Sequence, residues 1–204
     1  MEAQAKVESK PTAVRILDAA EDLFAEKGYS ATSLGDVADR VGIRSPSLYN
    51  HFKNKEALYS AVLDRLLDLF AQPLTKLTKA QGAITPELIY GWLEGVIRMH
   101  HERPNLARLL QHAALSGGPQ TNELIDRLFS PMFDNPQDAD LLPLLGGRDL
   151  QPWAVMALNN MIMSYVTMAP MYRDLLGEDP FGEEALKKQT DLIMKLAHLA
   201  IESD

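Results

Sequence analysis

Between Thr32 and Leu58 the chain reads TSLGDVADRVGIRSPSLYNHFKNKEAL, and no other stretch restricts the fold as strongly. Ser33 sits where an N-cap is wanted, with Asp36 three residues on, so the serine can accept orphan amide protons and the acid suits the positive helix end. Val37, Ala38 and Val41 recur as one buried stripe. Gly42 follows at the position that favours a left-handed C-terminal residue, and Ile43 plugs the corner. A second short helix then opens, with Ser45 as its expected cap and Pro46 at the first helical position, where a missing N–H costs nothing. Leu48 and Phe52, four residues apart, should face inward together. Two short helices joined by a glycine turn read as a helix-turn-helix, against the plainer alternative of an αα-corner with a polar face.

The residues left on the outer face of the second helix are Ser45, Ser47, Tyr49, Asn50 and His51, with Arg44 before them and Lys53 and Lys55 after. Such side chains donate to phosphates or read base edges, and no carboxylate interrupts them before Glu56.

The run GIRSPSLYNHFKNKEAL, preceded by RILDAAEDLFAEKGYSATSLGDVADRVG, resembles the DNA-binding domain of TetR-family transcriptional regulators. The resemblance covers Arg15 to Leu63 without a gap, and LY-x-HF-x-x-K is its most specific part. It implies that Tyr49, His51 and Lys55 clamp operator phosphates and that Thr32 and Ser33 touch the DNA backbone. It also implies base reading by Ser45, Pro46, Ser47 and Asn50, the proline through a thymine methyl. Gly35 departs from the pattern, standing where some members carry a base-reading arginine; Arg44 is the candidate replacement.

The net charge of −8 argues superficially against a nucleic-acid partner. Residues 1–60, however, hold eight Lys/Arg and nine Asp/Glu, so the acidity belongs to the remainder. A patch this modest needs two copies and good geometry rather than a strong field. The absence of cysteine excludes disulfides and thiolate metal sites. No apolar run approaches the roughly 20 residues that span a bilayer, and no signal-peptide core is apparent. No membrane partner is therefore expected, and a cytoplasmic location is.

Upstream, residues 1–11 read as a frayed tail and Thr12 to Lys27 as an amphipathic helix that packs Ile16, Leu17, Ala20, Leu23 and Phe24 beneath the motif, with Gly28 as C-cap. Lys55 begins a helix that can run to Thr78, roughly 36 Å long, with Pro73 expected to kink or break it. Residues 79–84 read as a loop. Thr85-Pro86 opens a helix over 86–102, Pro104 opens the next, a further helix spans Gln120 to Phe133, and a Pro/Gly/Asp-rich loop precedes Leu150. Leu150 to Met168 is apolar nearly all round, so burial on every side is expected. Residues 183–202 form a last amphipathic helix.

The expected architecture is all-α: a three-helix helix-turn-helix DNA-binding domain (1–54) and a six-helix ligand-binding and dimerisation domain (55–204). The resemblance implies a homodimer paired through the last two helices, with Met168, Ile193, Leu196 and Leu199 at the contact. It further implies a repressor of a pseudo-palindromic double-stranded operator, released by a small apolar or amphipathic effector. Trp92, Leu93, His100, Leu109, Met161 and Tyr165 are the candidate effector contacts. An enzyme using His100, His101 and His112 is the competing reading, and control by a protein partner a lesser one. Neighbouring His100 and His101 point about 100° apart on a helix, and Pro104 breaks the register to His112. No metal and no cofactor are expected, and His100 is taken as a polar cavity group or a structural one.

Overall fold

The computed structural model describes residues 10–78, 85–117 and 151–202, together with 121, 122, 125 and 126. The expected tail, the loop at 79–84, the helix from Gln120 and the loop before Leu150 fall wholly or mainly outside the described residues. All regular structure among the described residues is helical, as the periodicity requires. Contacts gather into two compact units, Met1–Arg65 and Leu66–Asp204.

The first unit contains α1 (Thr12–Ala31), α2 (Leu34–Val41), α3 (Ser45–Tyr49) and the start of α4 (Lys55–Thr78). Helix α1 is broken at Gly28, whose φ of 78° and ψ of 169° are open to glycine and strained for other residues. Its inner face buries Ile16, Ala20, Leu23 and Phe24, while Leu17 lies half-buried beside them. Phe24, Tyr29 and Tyr59 pack as an aromatic cluster with centroids 5.0–6.0 Å apart. Arg65 of α4 forks onto α1, bonding Asp18 at 2.6 Å and the buried Glu21. Hydrogen bonds from Lys10 and Arg65, with the positive charges of both, outweigh burial and hold the Asp18 carboxyl below its ordinary value. The first three turns of α4 are thereby tied to the scaffold under the motif.

Helix α4 continues through Pro73 to Thr78 without the expected break. The second unit adds α5 (Pro86–Glu102), α6 (Pro104–Ser116), α7 (Gln151–Thr167), α8 (Ala169–Leu176) and α9 (Glu183–Glu202). Thr85 caps α5 by accepting from Leu88 N–H, and Pro86 occupies its first turn. Helix α5 packs against α6, α7 and α9. Ile97 meets Ile193 in one core cluster and Leu93 meets Ala197 in another, so α5 and α9 run antiparallel. Helix α8 lies between the apolar helix and the last one, where the sequence was assigned no element, and Pro170 sits within its first turn, where proline is tolerated.

Two further expectations need correction. Ile193 is 2 % exposed and belongs to the chain's own core, not to a dimer face. Met161 is 38 % exposed and turns away from the core that Ile162 and Val166 enter. An almost wholly apolar helix has no polar stripe to fix its rotation from sequence.

Candidate nucleic-acid interface

Helix α2 starts with a complete capping box. Ser33 Oγ accepts from Asp36 N–H at 3.1 Å, and Asp36 Oδ2 accepts from Ser33 N–H at 2.9 Å and from its hydroxyl at 2.8 Å. Those donors from Ser33 pull the Asp36 carboxyl below its ordinary value. Helix α2 ends in a Schellman turn: Gly42, at φ 74° and ψ 37°, donates to Asp39 O, and Ile43 donates to Ala38 O at 3.0 Å. Helix α3 then begins one residue earlier than expected. Arg44 is its N-cap residue and makes no side-chain cap, which puts Ser45 inside the first turn ahead of Pro46.

Helix α3 is anchored by Leu48, its one buried residue. Around it, Arg44, Ser45, Pro46, Tyr49, Asn50 and His51 are exposed and Ser47 is half-buried, with Tyr49 54 % accessible. Asn54 Oδ1 accepts from Ala57 N–H at 2.8 Å and opens α4 immediately after this row. The expected reading residues thus lie exposed or half-buried on and beside a five-residue helix held by a single apolar plug.

Thr32 requires correction. It is 2 % exposed, and its hydroxyl lies 2.9 Å from Gly28 O and 3.1 Å from Leu23 O, stitching the α1–α2 junction instead of facing solvent. A resemblance locates a residue in the motif but does not say which way its side chain turns. Lys55 is also engaged within the unit. Its ammonium donates to Thr32 O at 2.8 Å and Ser30 O at 3.3 Å and stands 4.3 Å from the Tyr29 ring centroid. At Gly35 an added Cβ would meet only Ser33 Oγ at 3.5 Å, so the missing arginine is a chemical difference rather than a steric one.

The model of the bacterial regulatory proteins of the tetR family matches residues 16–62, the segment that builds this face. The repressor Rv3405c of Mycobacterium tuberculosis is 31% identical over 189 residues, covering 90% of this chain and 88% of that one. This chain belongs to the TetR family. It is a DNA-binding transcriptional regulator. The match to the Escherichia coli repressor ComR is closer, 53% identical over 55 residues, but spans 27% of this chain and 26% of ComR. Among solved structures, a TetR-like regulator from Rhodococcus sp. RHA1 shares the fold with a TM-score of 0.62 at 19% identity, over 98% of this chain and 100% of that one.

In this TetR-family chain the six candidate effector contacts stand in different surroundings. Leu93 is packed with Ile89 and Ala197, and half-buried Trp92 bridges that cluster to the one around Ile97. Leu109 is buried on α6, and Met161 faces outward. His100 is fully buried, its Nδ1–H donating to Val96 O at 2.9 Å; burial pushes its pKa down despite that bond. Tyr165 stacks on His101, not His100, and donates its hydroxyl to Pro180 O at 3.1 Å. His112 lies on α6, its carbonyl accepting from Ser116 at 2.6 Å, and among the described residues no three His, Asp or Glu side chains gather to hold a metal. His101 was singled out from the sequence only as one of the three histidines of the enzyme reading, and its pairing with Gln189 across two distant helices leaves no local signature.

Proposed function

We propose that this chain is a homodimeric repressor that leaves a pseudo-palindromic operator when a small apolar or amphipathic effector binds its second unit. The observation that carries this reading is the exposed row from Arg44 to His51 backed by the buried Leu48. Arg44, Ser45, Pro46, Ser47 and Asn50 enter the major groove and read base edges. Tyr49 and His51 hold phosphates, as does Lys55 through the N–H left over from its two carbonyl contacts, while Ser33 approaches the backbone at the start of α2. In this reading the protein works in the cytoplasm, catalyses no reaction and needs no cofactor. Among the described residues no helix is long and apolar enough to cross a membrane.

Pairing of two copies is supported by the outer faces of the last helices. Leu192, Leu196 and Leu199 form an exposed stripe on α9, and Trp153, Met156, Met161 and Met168 are exposed on or beside α7. Apolar surface of that extent calls for a cover, and a second copy related by a two-fold axis supplies it. Two α3 helices would then enter successive major grooves about 34 Å apart or somewhat more.

Release needs a ligand with different affinities for two dimer conformations. Helix α4 is one continuous element from Lys55 to Thr78, so movement of its far end has a covalent route to the motif. A 10- to 100-fold loss of DNA affinity requires coupling of about 1.4–2.8 kcal/mol, with reciprocal weakening of the effector by DNA. The test is selection of genomic fragments on purified protein, followed by mobility shifts on a selected fragment with and without compounds eluted from the protein. Retarded dimer–DNA complexes that dissolve on adding an eluted compound are expected. A monomer on DNA, or operator and compound binding independently, would overturn the proposal.

A further inference from the structure

Helix α3 inherits its position from the end of α2. Only Gly42, Ile43 and Arg44 separate the two helices, and the Schellman turn fixes their angle through Gly42 N–H on Asp39 O and Ile43 N–H on Ala38 O. Whatever holds the last turn of α2 against α1 therefore aims the side chains from Arg44 to His51. Part of that hold is apolar, through the buried Val37, Ala38 and Val41. Apolar contact is not directional, so it resists separation of the helices better than rocking of one on the other.

A directional tie comes from Arg15, near the start of α1. Its Nη2 donates to Val41 O at 2.5 Å, across 26 residues of sequence. The last four carbonyls of a helix have no partner inside it, and Val41 carries one of them, directly before the left-handed Gly42. A guanidinium there meets the negative end of the α2 dipole and makes a charge-assisted bond. At the other end of α2, Lys55 donates to Thr32 O and Ser30 O, so main-chain carbonyls at both ends of the helix are held by cations from neighbouring helices. Arg15 is otherwise exposed, and an exposed arginine beside a helix-turn-helix is the usual choice for a phosphate contact. Its bond to Val41 O gives it another task.

We propose that Arg15 is a positioning residue for sequence recognition: by holding Val41 O it fixes the end of α2 and, through the three-residue turn, the base-reading face of α3. Groups that read base edges must be held to within about 0.5 Å of their productive places. Phosphate contacts carry no sequence information and do not depend on that register. Loss of the tie therefore costs specific binding and spares non-specific binding. The proposal rests on the reading of α3 as the base-reading helix and needs neither the effector nor the lever through α4.

The test compares the full parent chain with Arg15→Met and Arg15→Lys on two duplexes, one enriched by the parent from a random pool and a scrambled version of it, over a range of salt. Methionine keeps the helix propensity of arginine and removes the donor, whereas lysine restores one. Arg15→Met should bind the enriched duplex roughly tenfold more weakly, the loss expected when base contacts slip. Its affinity for the scrambled duplex should stay within about threefold and its salt slope should not change, because no phosphate contact is lost. Arg15→Lys should recover most of the specific affinity. Amide exchange at Leu23 and Phe24 of α1 should match the parent, which reports that the variant folds. Equal losses on both duplexes, with the salt slope reduced by about 0.9 per protomer, would make Arg15 a phosphate contact and overturn the proposal. Full affinity of Arg15→Met for the enriched duplex, even with a lower melting temperature, would leave Arg15 a structural tie and overturn it too. A parent that enriches no sequence fails the base reading itself, so the two failures are distinguishable.

Discussion

Replacing Leu48 by alanine tests how the reading head is held. Helix α3 has five residues, far below the roughly 12–15 at which isolated helices become marginal, so its conformation depends on docking. Leu48 is its only buried residue and is fully enclosed, with Phe52 half-buried one turn on. Truncating a buried leucine costs about 2–5 kcal/mol, and the first unit, ending at Arg65, has roughly 3–10 kcal/mol of stability in total. A cost near 3 kcal/mol would raise the undocked population by roughly 150-fold. The amides of His51 and Phe52, which both donate to Leu48 O, are the natural reporters. In Leu48→Ala their hydrogen-exchange protection should fall about 100-fold and operator affinity should fall with it, while amides of α5 and α9 stay unchanged. Protection and affinity within twofold of the parent would refute the docking argument.

Lys55→Met should reduce the salt slope of operator binding by about 0.9 per protomer, because one phosphate contact per copy is lost; an unchanged slope means that the ammonium serves only the carbonyls of Ser30 and Thr32. Aspartates placed at Leu196 and Leu199, both exposed, should give monomers in sedimentation and no operator complex; a fully active monomer would contradict the pairing. His100 is held neutral by burial, so its folded pKa lies below the ordinary 6.5. The unfolded chain then binds the extra proton first, and stability should be greatest above pH 6.5 and fall as pH drops through that value toward the folded pKa. His100→Phe should flatten that part of the curve, as read by urea unfolding at several pH values, and a curve of unchanged shape would count against the assignment.

The first unit was legible because its punctuation is chemical. Ser33 with Asp36, Gly42 and Pro46 each demand one backbone state, and the capping box and left-handed glycine appear where those residues stand. What stayed hidden there was direction: Thr32 and Lys55 lie in the motif, yet their polar atoms turn toward carbonyls of their own unit. In the second unit the helices with a polar stripe, α5 and α9, were placed closely, whereas α7 has no stripe and its rotation was lost, taking Met161 with it. Helix α8, between Met168 and residue 183, was assigned no element from the sequence. His100 and His101 differ by about 100° of helical rotation, and the contact of His101 with Gln189 lies across two helices where the sequence carries no local sign of it.

Selecting preferred sequences from a random DNA pool, with the parent protein and with Ser47→Ala and Asn50→Ala, tests most directly the claim that the exposed face of α3 reads DNA. The parent should enrich a pseudo-palindrome, and each variant should relax base preference at the same position in both half-sites, with about 1–3 kcal/mol of discrimination lost there. Three indistinguishable base preferences, or no enrichment by the parent, would contradict it.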